Sequence, residues 1–251
     1  MSTPSSAGED ARAAAVKRLV SDLEHNLRDA VQRSMRFKLD GSVASLAIVD
    51  HYLEQARSET RAPILALLAA SAGAYFGELV RNNLGAQWIG DASDPRHLRL
   101  LLTPEFAYFS PADIAFAAIL GEDPEPDDPR TPPGLPLDTA IHLRSTTTAI
   151  PNPRRTADPE DPPPDPPEED AVTTAPPPIL PTDSEDDDRD DASWIAARLG
   201  ELSPVPADQF YSLTTRYETL ELILQMLASR RAQAGYEPYT YTIDDYLHAF
   251  S

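Results

Sequence analysis

Cysteine is missing from all 251 residues. Disulfides, thiolate metal sites and a cysteine nucleophile are thereby excluded, and a reducing compartment, the cytoplasm, is the expected location. Lysine is nearly missing: of the 21 cationic side chains only Lys17 and Lys38 are Lys. Positive charge as a whole is scarce, since 41 Asp and Glu leave a formal net charge of −20. That balance disfavours nucleic acid and anionic membrane surfaces and points to a basic protein partner or a cation. Long apolar runs are missing too. The longest uncharged stretch, residues 62–77, has 16 residues including two Gly and one Ser, whereas a membrane-spanning helix needs roughly 20. The opening "MSTPSSAGEDARAAAVKRL" lacks the apolar centre of a signal peptide. No membrane insertion is expected. Neither GxGxxG nor GxxxxGK[ST] occurs, and HExxH, a DxDxDG loop and a GxSxG elbow are also absent. The common phosphate cradles, metal loops and serine elbows are therefore not in use, and no cofactor is expected.

What is present is helical periodicity. Residues 1–10 are expected to be disordered. Val16, Leu19, Leu23, Leu27 and Val31 then recur every three or four residues and predict an amphipathic helix over 11–35. A second helix is expected after Gly41, capped by Ser42, with Val43, Leu46, Val49 and Leu53 on one side. A third, over 60–83, carries Pro63 in its first turn and is apolar nearly all round, which places it at the centre. Short runs come next, "QWIG", "HLRLLL", "EFAYFS" and "DTAIHLRSTTTAI", and predict a small antiparallel sheet. A short helix capped by Ser110 interrupts them. The fold class expected is α+β, mainly helical, with a core over 11–150.

Between Glu122 and Ala192 there are 18 Pro and 20 Asp or Glu against 5 Arg. Residues 151–191 are expected to form a disordered acidic linker, because they cannot bury enough apolar surface to offset chain entropy. A C-terminal helical segment over 192–251 is expected beyond it. Its long helix, 206–234, aligns Phe210, Leu213, Tyr217, Leu220, Leu224 and Leu227 in one seam, which packing on the core would cover. Near the end, Thr242 and Asp245 have the spacing of a capping box, and Ile243, Tyr246, Leu247 and Phe250 fall on one face. Those four are candidates for docking, either beside the seam or in a partner's groove.

Glu78 is the lone acid of the central helix. Arg81, three residues on, and the Trp88 indole N–H are within sequence reach, so a structural carboxylate held by these donors is expected. Ala66, Ala70, Gly73 and Gly77 form a small-residue stripe that admits another helix closely. The competing reading gathers Asp50 and Glu54, which share a helix face, with Glu78 and His51 or His97 into a metal site or acid/base pair.

"ASLAIVDHYLEQA" together with "AGAYFGELVRNNLGAQW" resembles a loosely defined set of uncharacterised bacterial proteins. In these a Leu-x-x-x-Asp-x-Tyr-Leu helix precedes a Gly-x-Tyr-Phe-Gly-Glu helix and a Trp strand. The matching positions are Leu46, Asp50, Tyr52, Leu53, Gly73, Tyr75, Phe76, Gly77, Glu78, Gly85 and Trp88. Such proteins often have Gly-Gly before the Trp, where this chain has Ala86 and Gln87. The resemblance implies a bacterial source and an α+β core, and names no activity. The function expected is non-enzymatic: a binding or adaptor protein using the acidic linker between two interaction surfaces. The alternatives are an immunity or antitoxin-like protein with a basic partner, and a carboxylate-based metal enzyme.

Overall fold

The computed structural model describes residues 6–125, 128–133, 136–144 and 190–249. Helix α1 (Ser6–Met35) follows the expected spacing, with Val16, Val20, Leu23, Leu27 and Val31 buried. It starts at Ser6, so residues 6–10 are helical rather than disordered. Arg36 closes it in the left-handed region, at φ 57°. The second helix differs from expectation at its start. Ser42 gives its hydroxyl to Asp40 (2.7 Å) instead of capping, and a single 3-10 turn, Val43–Ser45, precedes α2 (Leu46–Gln55). The Tyr75 hydroxyl accepts from Gly41 N (3.1 Å) and lies 2.5 Å from Ser45 Oγ, which fastens this turn to the centre.

Helix α3 (Ala62–Val80) is that centre, buried almost all round over its second half. The stretch Ala62–Gly85 is long and apolar enough to cross a membrane by length and composition alone, and 67% of its apolar window is buried inside the protein. The α-helical part ends at Val80, earlier than expected, in a wider turn over Arg81–Gly85. Asn83 donates to Leu79 O (2.9 Å) there, and Gly85 supplies the left-handed exit at φ 79°.

The sheet takes up the next segments as β1 (Ala86–Ile89), β2 (Arg99–Leu102), β3 (Ala107–Phe109) and β4 (His142–Leu143), antiparallel in the order β1-β2-β3-β4. Strand alternation gives it two covered faces. Leu100, Leu102, Ala107 and Phe109 enter the main core, while Leu101 joins a second cluster with Phe106, Tyr241 and Tyr246. Helix α4 (Pro111–Leu120) is buried throughout; Ser110 accepts from Asp113 N at its start, and Gly121, at φ 72°, ends it.

Past residue 189 the chain forms α5 (Asp191–Gly200), α6 (Leu213–Gln233) and α7 (Ile243–Ala249). The expected boundary at 191 is corrected: Asp191 is the first residue of α5 and is buried. Leu213, Tyr217, Leu220 and Leu224 sit in the same core as α2, α3 and α4, so the seam is covered by its own chain. Phe210 is not part of it. Ser212 caps α6, accepting from Thr215 N, and leaves Phe210 in the preceding turn with 45% of its surface exposed. Helix α7 packs on the sheet and not beside the seam. Its capping box is formed, with Thr242 N donating to Asp245 Oδ2 (2.7 Å), and Tyr246 and Ile243 face inward. Leu247 is 49% exposed and does not belong to that face, because two turns offer only two positions toward the sheet. Phe250 lies outside the described residues, as do residues 145–189 of the acidic segment.

Candidate functional site

At the end of α3, Glu78 Oε1 accepts from Trp88 Nε1 (2.8 Å) and Arg81 Nε (2.9 Å), and Oε2 accepts from Arg81 Nη2 (2.9 Å). All the acceptor strength of a half-buried acid is turned on its own helix end and on β1. Gly77 explains how the indole reaches it. A Cβ there would overlap the Trp88 ring, so Gly77 admits an aromatic side chain and not the helix expected from the stripe. Gly73 does admit a helix: its missing Cβ would stand 2.5 Å from Pro111 O and 2.7 Å from Ala112 Cα of α4. Ala70 faces α1. A cleft of about 350 Å³ opens above Trp88 between α1 and α3, with Lys17, Glu24 and Arg81 at its rim.

Asp50 has a different employment. From α2 its Oδ1 accepts from Leu213 N (2.7 Å), and its Oδ2 from Thr214 N (3.1 Å) and Thr214 Oγ1 (2.5 Å). The first amides of α6 lack intrahelical acceptors, and an acid against that positive end satisfies them. Burial pushes the Asp50 carboxyl above its ordinary value, with the three donors opposing it. Glu54 is exposed, 3.8 Å from His51 and 3.7 Å from Arg57. Asp50, His51 and Glu54 line a cleft of about 450 Å³ with Asp208, Thr215 and Glu218, whereas Glu78 faces the cleft above Trp88. His97 pairs with Asp91 (3.6 Å). The competing reading, which gathers Glu78 with Asp50 and Glu54, does not match this geometry: Asp50 and Glu54 share one cleft and Glu78 lies at another. Among the described residues no group of three or more His, Asp or Glu is arranged to hold a metal.

Sequence reasoning missed the most heavily charged interior site. Asp191, 4% exposed at its side chain, is reached by Arg144 Nε (3.2 Å), Arg230 Nη1 (3.1 Å) and Arg231 Nη2 (3.4 Å). Arg231 Nη1 also lies 2.5 Å from Glu105 Oε2, in the turn between β2 and β3. That contact is an ion pair outside hydrogen-bond geometry, since among the described residues Glu105 Oε2 has no hydrogen-bond donor and the buried Tyr241 hydroxyl has no hydrogen-bond partner. Burial, the largest effect, pushes the Glu105 carboxyl up to about 7, with Arg231 pulling it down. The arginine pair at the end of the seam was the available signal; nothing local says that Asp191 and Glu105 are its targets.

The same turn is the seat of α7. The Tyr246 hydroxyl accepts from Ala107 N (2.9 Å), lies 2.6 Å from Leu102 O, and its ring stacks on Phe106 at 4.2 Å. Tyr241 N donates to Thr103 O (2.8 Å). A second polar cluster lies where α4 meets the sheet. Buried Asp113 accepts from Arg96 Nε (3.2 Å) and Asp138 N (3.0 Å), and Asp138 in turn lies 2.8 Å from His142 Nε2. The hydrogen bond from His142 holds the Asp138 carboxyl below its ordinary value.

No family model, curated protein or solved structure matches the chain.

Proposed function

We propose that the protein is a non-enzymatic binding protein that displays an acidic, proline-rich segment to a basic protein partner. The observation that carries this reading is the meeting of the segment's two ends: Arg144 and Asp191 are in ion contact at 3.2 Å. Residues 145–189 hold twelve Asp or Glu against three Arg. With both ends held on one folded body, the segment is better suited to presenting its charge than to separating two interaction surfaces. Dense charge of one sign accelerates and orients encounters with an oppositely charged partner.

The test uses the full chain as bait in its native host, beside a chain with residues 145–189 scrambled and one with them replaced by a Gly-Ser linker. A basic protein should be captured by the first two baits and lost with the third, in a salt-dependent manner. Equal capture by all three would remove the segment from the function.

A further inference from the structure

The helix end that Glu78 closes also builds one wall of the cleft between α1 and α3. Trp88 supplies that wall, and two features of α3 hold its ring. Gly77 leaves room for the ring edge, since a Cβ there would overlap Trp88 Cη2 and Cζ2. Glu78 takes the indole N–H at 2.8 Å. With its one donor satisfied, the ring offers carbon surface to the cleft. Val16 and Val20 of α1, both buried, add aliphatic groups to the same lining.

The polar groups of this lining are unevenly committed. Glu24 accepts from Arg28 Nε (3.1 Å) and Nη2 (2.6 Å), and both oxygens of Glu78 are held by Arg81 and Trp88. Lys17, by contrast, is paired with no acid among the described residues. Ser21, one turn further along α1, brings a hydroxyl to the same lining. The chain as a whole carries a net charge of −20, yet the uncompensated charge at this cleft is positive. Each acid lining it has its own arginine, and one ammonium is left over.

Apolar walls with a few placed polar groups are the usual form of a small-ligand site, and about 350 Å³ lies near the small end of the roughly 300–1,000 Å³ such sites occupy. One free cation matches one negative charge. A dianion such as phosphate would bring its second charge against Glu24 and Glu78, and an amine would find both acids taken. We propose that this cleft binds a small monocarboxylic acid with an aromatic or aliphatic body, the body against Trp88, Val16 and Val20 and the carboxylate on Lys17 and Ser21. The site uses no residue of the acidic segment and holds whether or not that segment binds a basic partner.

The probe is naphthoate, titrated into the isotope-labelled full chain and followed by nuclear magnetic resonance. The chain has two Trp, hence two indole N–H signals, which Trp194→Phe assigns without touching the cleft. Naphthoate should move the Trp88 signal saturably, with a Kd of about 1 mM or tighter, and leave that of Trp194 in place. Naphthamide, the same body without the charge, should bind about fivefold more weakly, and Lys17→Gln should weaken naphthoate by a similar factor, the upper end for an exposed charge pair. Lys17→Arg should restore most of the affinity. Because Lys17 is exposed, both variants should keep the melting curve of the unaltered chain. A Trp88 signal that stays in place at about 10 mM naphthoate, or equal movement of both indole signals, would overturn the site. Equal binding of naphthamide and naphthoate, or full affinity in Lys17→Gln, would overturn its assignment to a carboxylate.

Discussion

Gly73 and Gly77 separate two meanings of a small residue in a helix. In an open helix Gly→Ala stabilises by about 1 kcal/mol. Here Gly73→Ala sets a methyl against the backbone of Pro111 and Ala112, which cannot swing away, so the chain should lose about 1–3 kcal/mol or more as overpacked contacts do. Gly77→Ala clashes with the Trp88 ring, which can move, and meets Pro111 Cγ at an ordinary contact distance of 3.5 Å. It should cost less in denaturant midpoint but shift Trp88 fluorescence, because the indole leaves Glu78. A stabilised Gly73→Ala chain would refute the close helix contact. Glu105 gives a pH signature. Its carboxyl holds a proton more tightly in the folded protein, up to about 7 against 4.5 when free. Its contribution to stability is therefore fully present below pH 4.5 and is lost as pH rises through 7, a change on the order of 3 kcal/mol. Glu105→Gln, neutral throughout, should melt progressively higher relative to the unaltered chain between pH 5 and 8; a pH-independent difference would mean that Arg231 keeps Glu105 ionised. The partners of Glu78 were legible because they lie three and ten residues away. Asp50's partner is 163 residues away, beyond anything spacing conveys.

Helix starts and ends decide how the C-terminal elements attach. Asp50→Ala removes the acceptor for the first amides of α6 and should cost about 1–2 kcal/mol, the usual scale of a lost cap. If denaturant unfolding is unchanged, water replaces the carboxylate fully. Tyr246→Phe deletes the hydroxyl that holds the turn between β2 and β3. It should cost about 1–3 kcal/mol, and hydrogen exchange at Ala107 N should rise selectively, since that amide loses its acceptor. Uniform exchange across the sheet would mean that the hydroxyl does not secure the turn. Periodicity made the helices themselves readable: Leu213, Tyr217, Leu220 and Leu224 are all buried as their spacing implies. It overextended at the ends. Phe210 continues the spacing yet stands before the Ser212 cap, and Leu247 continues it on a helix of seven residues, too short to bury a wide stripe. The mainly helical α+β class was readable because periods of 3.6 and 2 alternate along the chain. The destination of the last helix was not, because a two-residue apolar face fits any apolar seat.

Across the whole molecule, α6 and α7 belong to the same body as α1–α4 and the sheet, and the acidic segment is an insertion whose ends meet at Arg144 and Asp191. Composition made the segment legible, but charge and proline content carry no information on whether the C-terminal helices return to the N-terminal core. Loop closure entropy supplies one consequence. Replacing the 45 residues 145–189 by about ten Gly and Ser should stabilise the chain by about 1 kcal/mol, because a shorter loop costs less to close. A large destabilisation would mean that the segment contributes contacts of its own. The most direct test cuts the insertion. With a specific protease site placed near residue 165, the cleaved chain should elute from size exclusion as one species of the mass of the intact protein, 27.4 kDa, and melt in a single transition, since the halves share a core and the buried arginine network. Fragments that elute separately, or a C-terminal piece that is lost while the N-terminal piece keeps its melting curve, would contradict a single folded body.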